Sequence, residues 1–166
     1  QADLLDAILA TLGLAAAQPE AQSVVRGSAA PLGGEVLAGR RVLVAEDHPV
    51  NRKLVTKILE KRLLIPVLVS NGTEALRALE SDTFDLILMD VQMPGMDGLQ
   101  TTATIRENEK TTGRHIPILA MTAHALNRDR EKCLAAGMDA YLSKPVKPSE
   151  LYAAIEALLT NQVTSA

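Results

Sequence analysis

Short runs in which every position is apolar alternate with stretches of helical period along most of this chain. The runs Val42–Ala45, Val67–Val69, Leu86–Met89, Ile118–Met121 and Ala140–Leu142 read as strands. Segments near 50–62, 73–80, 98–108, 125–136 and 149–160 read as helices. Pro49 suits a helix's first turn, where its missing N–H costs nothing, and Val50, Leu54 and Ile58 then share a face. Strand–helix alternation predicts a parallel sheet covered on both sides. A run such as Leu86–Met89, apolar throughout, fits a strand buried on both faces. The expected fold class is α/β, a doubly wound five-stranded parallel sheet with helices on both faces, over residues 41–160.

Upstream the pattern is different. Residues 3–12 place Leu4, Leu5, Ile8 and Leu12 at helical spacing, whereas 13–40 turn to Ala, Gln, Ser, Pro and Gly without a sustained period. QADLLDAILATL (1–12) aligns without gaps on PSELYAAIEALL (148–159), with Leu4/Leu151, Ala7/Ala154, Ile8/Ile155, Ala10/Ala157 and Leu12/Leu159 identical. Residues 1–12 are therefore expected to be the C-terminal helix of a preceding, similar domain. The alternative is that two amphipathic helices share an apolar face by coincidence. On this reading 13–40 is a linker and 161–166 a tail.

Composition narrows the function classes. Apolar residues make up 47% of the chain but aromatics only 2%, so the core must be aliphatic. A net charge of −3 without a basic stripe gives no reason to expect nucleic-acid binding. Cys133 is the only cysteine, which excludes an internal disulfide and points to a reducing, cytoplasmic setting. No apolar run reaches the roughly 20 residues that span a bilayer, so no membrane contact by this segment is expected. The start at Gln1 reads as an excised piece of a longer chain, whose other parts could carry a membrane anchor.

Polar residues recur where the apolar runs stop. Glu46-Asp47 follow the first strand, Asp90 ends the third, Thr122 ends the fourth and Lys144 follows the fifth. In an open parallel sheet the carboxyl ends of the strands form the ligand-binding edge. Each residue alone could be a turn or cap residue; five on one edge form a candidate site. Three close carboxylates resist joint ionisation, and a hard divalent cation relieves them. Lys144 offers a point charge, and the Thr122 hydroxyl a hydrogen bond, to a phosphoryl oxygen. The fitting chemistry is phosphoryl transfer onto a carboxylate.

VAEDHPVNRKL (44–54), MDVQMPGMDGL (89–99), PILAMTAHAL (117–126) and AGMDAYLSKPV (136–146) together resemble the receiver (response-regulator) domains of hybrid sensor histidine kinases. The resemblance implies the flavodoxin-like strand order 2-1-3-4-5 and Asp90 as phospho-acceptor. It implies Mg²⁺ (or Mn²⁺) held by Asp47 directly and by Glu46 through water, with Asp90 and the Gln92 backbone carbonyl completing the set. Thr122 and Tyr141 would be the switch pair, Lys144 the phosphoryl-binding lysine, and Lys144-Pro145 a cis peptide. Gln92 and His124 would tune dephosphorylation. Implied partners are a histidine kinase domain, a histidine phosphotransfer protein, or both, with no small-molecule substrate beyond phosphodonors. The domain would catalyse its own phosphorylation and dephosphorylation, within a parent that is a histidine protein kinase. The alternatives are a phosphorylation-independent binding module and an aspartyl-phosphate hydrolase. Against the latter, Gln92 stands where such an enzyme places its second acid.

On residue type alone, several of these positions have plainer readings. Tyr141 could be a core aromatic, His48 a helix cap, His115 a solvated loop residue and Cys133 an inward-packed small residue. One stretch departs from the family pattern. In KRLLIPVLVS (61–70), Leu63 or Leu64 stands where receivers end the first helix with Gly, and Pro66 falls in the second strand. An edge strand tolerates Pro. Leu63, Leu64 and Ile65 are then expected to form an apolar edge covered by a partner domain or the N-terminal helix.

Overall fold

The structure is a computed structural model that describes residues 37–123 and 127–163. The helix expected over 3–12, its repeat relation to 148–159, and His124 lie outside the described residues. Five strands, β1 (Arg41–Ala45), β2 (Ile65–Val69), β3 (Leu86–Asp90), β4 (Ile118–Thr122) and β5 (Ala140–Ser143), alternate with five helices. These are α1 (Pro49–Glu60), α2 (Gly72–Ser81), α3 (Gly98–Thr112), α4 (Asn127–Ala135) and α5 (Pro148–Val163). All neighbouring strands are parallel, in the order β2-β1-β3-β4-β5. This is the α/β arrangement expected from the alternation.

Every residue of β3 and β4 is buried, because helices cover both faces of the sheet centre. On one face Val42, Val44, Leu86, Leu88, Leu119 and Met121 pack with Val55, Leu59, Leu151 and Ile155. On the other, Leu43, Ala45, Ile87, Met89 and Ala120 pack with Ala75, Ile105, Cys133 and Met138. Each fully buried aliphatic side chain contributes roughly 1.5–3 kcal/mol, so a largely aliphatic core suffices, with Phe84 its one buried aromatic among the described residues. Leu37, within the stretch read as linker, is also fully buried in the first of these clusters. The Gly39 amide donates to the Leu63 carbonyl (2.8 Å) and ties that segment to the sheet edge.

The helix ends differ from the pattern where apolar spacing gives no signal. α3 runs on to Thr112 through the polar stretch after Arg106, and ends where Gly113 takes the left-handed conformation (φ 69°). α5 likewise extends to Val163. After α1, Leu63 takes the left-handed conformation itself (φ 58°). The Leu64 amide donates to Leu59 (3.2 Å) and the Leu63 amide to Glu60 (3.0 Å), the pair of bonds that closes a Schellman cap. Leu64 packs in the same cluster as Leu59, which completes that motif's apolar contact. The apolar edge is therefore smaller than expected, since Leu64 belongs to the core while Leu63 and Ile65 are exposed.

Pro66 lies in β2, opposite Val42, on the outermost strand. The preceding Ile65 amide faces inward and donates to Arg40 (2.8 Å). Successive strand residues alternate, so the Pro66 nitrogen faces away from the sheet and no ladder bond is lost.

Leu63 is 69% exposed, so its side chain gains little from its position. A left-handed non-glycine residue costs roughly 1–2 kcal/mol, against which glycine loses roughly 0.5–1 kcal/mol of chain entropy. Leu63→Gly is expected to stabilise the domain by about 0.5–1 kcal/mol, read as a higher urea midpoint at unchanged slope.

Candidate active site

Parallel strands bring their carboxyl ends to one edge, and the sheet order sets who meets whom there. β1 and β3 are neighbours, so Glu46-Asp47 and Asp90 come together directly. β4 lies between β3 and β5, so Lys144 reaches Asp90 across the end of β4, where Thr122 sits. The Lys144 amide donates to the Thr122 carbonyl at 2.7 Å, and the Lys144-Pro145 peptide is cis.

Lys144 Nζ lies 2.7 Å from Asp90 Oδ2 and 2.8 Å from Glu46 Oε2. The first contact is a hydrogen bond. The second is an ion pair without hydrogen-bond alignment, so Glu46 Oε2 is buried with no hydrogen-bond partner. Glu46 Oε1 accepts from the His48 amide and from the Asn51 side-chain amide, both at 3.2 Å. Asp90 Oδ1 accepts from the Gln92 amide at 3.0 Å. Glu46 and Asp90 are buried (0% and 3% exposed) while Asp47 is exposed, so the cluster opens to solvent on one side. Each of the three acids offers a ligand oxygen within 4.8 Å of the others. Three close carboxylates against the single charge of Lys144 fit a hard divalent cation and its waters.

Charge and burial oppose each other here. Burial pushes the Asp90 carboxyl above its ordinary value. The Lys144 and Gln92 hydrogen bonds pull it back, and the nearby Glu46 charge adds to the rise. Burial pulls the Lys144 ammonium down, but the Asp90 and Glu46 carboxylates outweigh it and hold Lys144 above the ordinary lysine value. Lys144 therefore stays charged, and Asp90 ionises at a cost.

One glycine sets the backbone around Asp90, and a second the approach of two helices nearby. A Cβ on Gly98 would overlap the Asp90 carbonyl oxygen, and the Gly98 amide donates to Val91 at 3.0 Å. A Cβ on Gly72 would overlap the Thr101 hydroxyl, so α2 and α3 approach closely. Asp97 caps α3 through a reciprocal capping box with Gln100.

Thr122 is buried, and Tyr141 lies on the same sheet face, since its register partner Ala120 is two residues before Thr122. The Tyr141 ring packs against the second core cluster with the Arg130 guanidinium 5.4 Å from its centroid. His48 accepts from the Val50 amide (3.3 Å) and so caps α1. Cys133 is buried. His115 is bound, not merely solvated, with Nε2 2.7 Å from Asp139. Asn51 was not anticipated: a polar residue in a helix's first turn ordinarily faces solvent. A hollow of about 740 Å³ at the opposite end of the strands is lined by residues such as Arg41, Phe84, Ile105 and His115. On that rim Arg41 pairs with Asp82 (3.0 Å) and Arg40 with Asp85 (2.9 Å).

The chain belongs to the response regulator receiver domain family, whose sequence profile matches residues 42–156. It is 44% identical over 120 residues to the sensor histidine kinase GacS of Pseudomonas protegens, covering 70% of this chain and 13% of that protein. It is 40% identical over 137 residues to hybrid signal transduction histidine kinase I of Dictyostelium discoideum, covering 80% of this chain and 8% of that one. The chain thus spans a small fraction of these curated relatives. Among solved structures it resembles the receiver domain of the sensor histidine kinase PA1611 of Pseudomonas aeruginosa, which has a magnesium ion coordinated in its active-site cleft. The TM-score is 0.68 at 41% identity, covering 74% of this chain and 99% of that one. The receiver domain of Ssk1 of Saccharomyces cerevisiae, co-crystallised with the histidine phosphotransfer protein Ypd1, gives a TM-score of 0.71 at 30% identity, covering 76% and 92%. This domain is a receiver of two-component signal transduction, of the kind found in hybrid histidine kinases. Among the described residues, no helix is long and apolar enough to cross a membrane.

A carboxyl group whose value is raised by folding adds stability below its ordinary range and loses it as pH rises through the raised value. Asp90→Asn is therefore expected to melt above wild type at neutral pH without metal. The gap should close as pH falls through the raised Asp90 value, in thermal melts across pH. Gly98→Ala is expected to cost about 1–3 kcal/mol in urea unfolding, because the new methyl meets backbone that cannot yield cheaply.

Proposed function

We propose that Asp90 accepts a phosphoryl group from a phosphohistidine and passes or reads out that signal. The observation that carries this is the buried Asp90 carboxylate held by Lys144 beside Glu46 and Asp47 at one strand edge. An Asp90 carboxylate oxygen attacks phosphorus, the P–N bond to the donor imidazole breaks, and the imidazole nitrogen takes a proton from water. No side-chain base is needed, because an ionised carboxylate has no proton to lose. Lys144, already charged, neutralises a phosphoryl oxygen, and the Thr122 hydroxyl hydrogen-bonds another. Glu46, Asp47, Asp90 and the Gln92 carbonyl would hold Mg²⁺ (or Mn²⁺), which when bound neutralises charge on the phosphoryl oxygens.

The new group adds about −1.5 to −2 charges beside Thr122 and Lys144. Thr122 turns toward it, and Tyr141, on the same face, moves inward to repack the α4–β5–α5 surface. Taking a 1:99 equilibrium to 99:1 needs roughly 5.5 kcal/mol of differential interaction. Gln92 and His124 would set the lifetime of the acyl phosphate. The partners proposed are a histidine kinase domain and a histidine phosphotransfer protein, and the setting is the cytoplasm. The gapless match of 1–12 to 148–159 supports a second, similar domain ending at residue 12, as in a hybrid kinase parent. Hydrolysis of external phosphoesters is disfavoured by Gln92, an exposed amide where a second acid would be required.

Incubation with acetyl phosphate and Mg²⁺, followed by intact mass, should add one phosphoryl group to wild type and none to Asp90→Asn. Equal labelling of the two would overturn the assignment.

A further inference from the structure

We infer that Asn51 is a positioning residue for the cation site, acting through Glu46 by fixing which carboxylate oxygen faces the acidic cluster. The inference rests on the reading that Glu46, Asp47 and Asp90 hold a divalent cation, and deepens it.

Asn51 is the third residue of α1, five positions after Glu46. Its place is set by backbone: Pro49 starts the helix, and His48 caps it by accepting from the Val50 amide. From there the Asn51 side chain reaches back to Glu46 Oε1 at 3.2 Å. An ionised carboxylate only accepts, so only the Asn51 amide nitrogen can face it, which settles the amide's orientation. The His48 amide donates to that same oxygen.

The two oxygens of Glu46 are thereby made unequal. Oε1 takes two donors, while Oε2 takes none and lies toward Lys144 and the other acids. The terminal carboxylate torsion has broad wells and is only weakly held by its own bonding. With Asn51 gone, Oε1 keeps only the His48 amide, and the carboxylate can swing about its contact with Lys144. Groups that orient a ligand through one hydrogen bond typically change metal affinity by about 10–100-fold when lost. Asparagine suits the role: it donates without adding a fourth negative charge beside Glu46, Asp47 and Asp90.

The test is a Mg²⁺ titration of the 166-residue chain without phosphodonor, followed by the amide shifts of residues 90–93. Asn51→Leu should raise the Mg²⁺ Kd about tenfold, with the melting temperature in EDTA unchanged. Asn51→Ala is the second variant should leucine disturb folding. Lys53→Ala, exposed on the same helix, should leave the Kd where it is. In a Glu46→Gln background, Asn51→Leu should add no further loss, since its effect travels through that carboxylate. An unchanged Kd in Asn51→Leu, or an equal loss in the Glu46→Gln background, would overturn the inference while leaving the cation site intact. Failure of wild type to take up Mg²⁺ would remove the cation site itself.

Discussion

One lysine ammonium between two buried carboxylates is the interaction on which the rest of the site depends. Lys144 carries one positive charge against Asp90 and Glu46, both nearly sealed from water. A pair of buried acids without that cation would face a desolvation cost of several kcal/mol for each ion. With it, the imbalance is a single net negative charge and one oxygen without a hydrogen bond. The sheet makes this possible by stacking β1, β3 and β4 in one direction and hanging β5 at the edge, so that Lys144 arrives over the end of β4. The completely buried central strands hold these three chain ends in register.

That geometry also ties the acid to the fold around it. The backbone after Asp90 runs so close to the start of α3 that only glycine fits at position 98. On the other side, Thr122 lies where Lys144 must pass, and its carbonyl holds the lysine's own amide. A change of charge at Asp90 is thus felt by one helix through the backbone and by β4 and β5 through Lys144.

Much of this was legible in the sequence because burial leaves a strong trace. β3 and β4 are apolar at every interior position, so both their existence and the polar residues that end them stand out. The residues of the acid edge were readable for the same reason, as the points where an apolar run stops. Segments held by backbone geometry left less trace. The second half of α3 has no apolar period and stops only when Gly113 adopts a left-handed turn. Leu63 does the work of a glycine with nothing in its side chain to announce it. Leu37 belongs to the core although its neighbours read as linker. Asn51 looks like any solvated helix residue until the fold brings Glu46 beneath it.

The proline in β2 has a consequence beyond its being tolerated there. An outer strand exposes a row of unpaired amides and carbonyls that can template another chain. With Ile65 bonded inward, the next outward nitrogen belongs to Pro66 and carries no hydrogen. A foreign strand approaching this margin finds one of its anchoring points missing and the ring in its way. A protein whose rim also shows Ile65 and Leu68 to water needs such a guard against fibrous self-association.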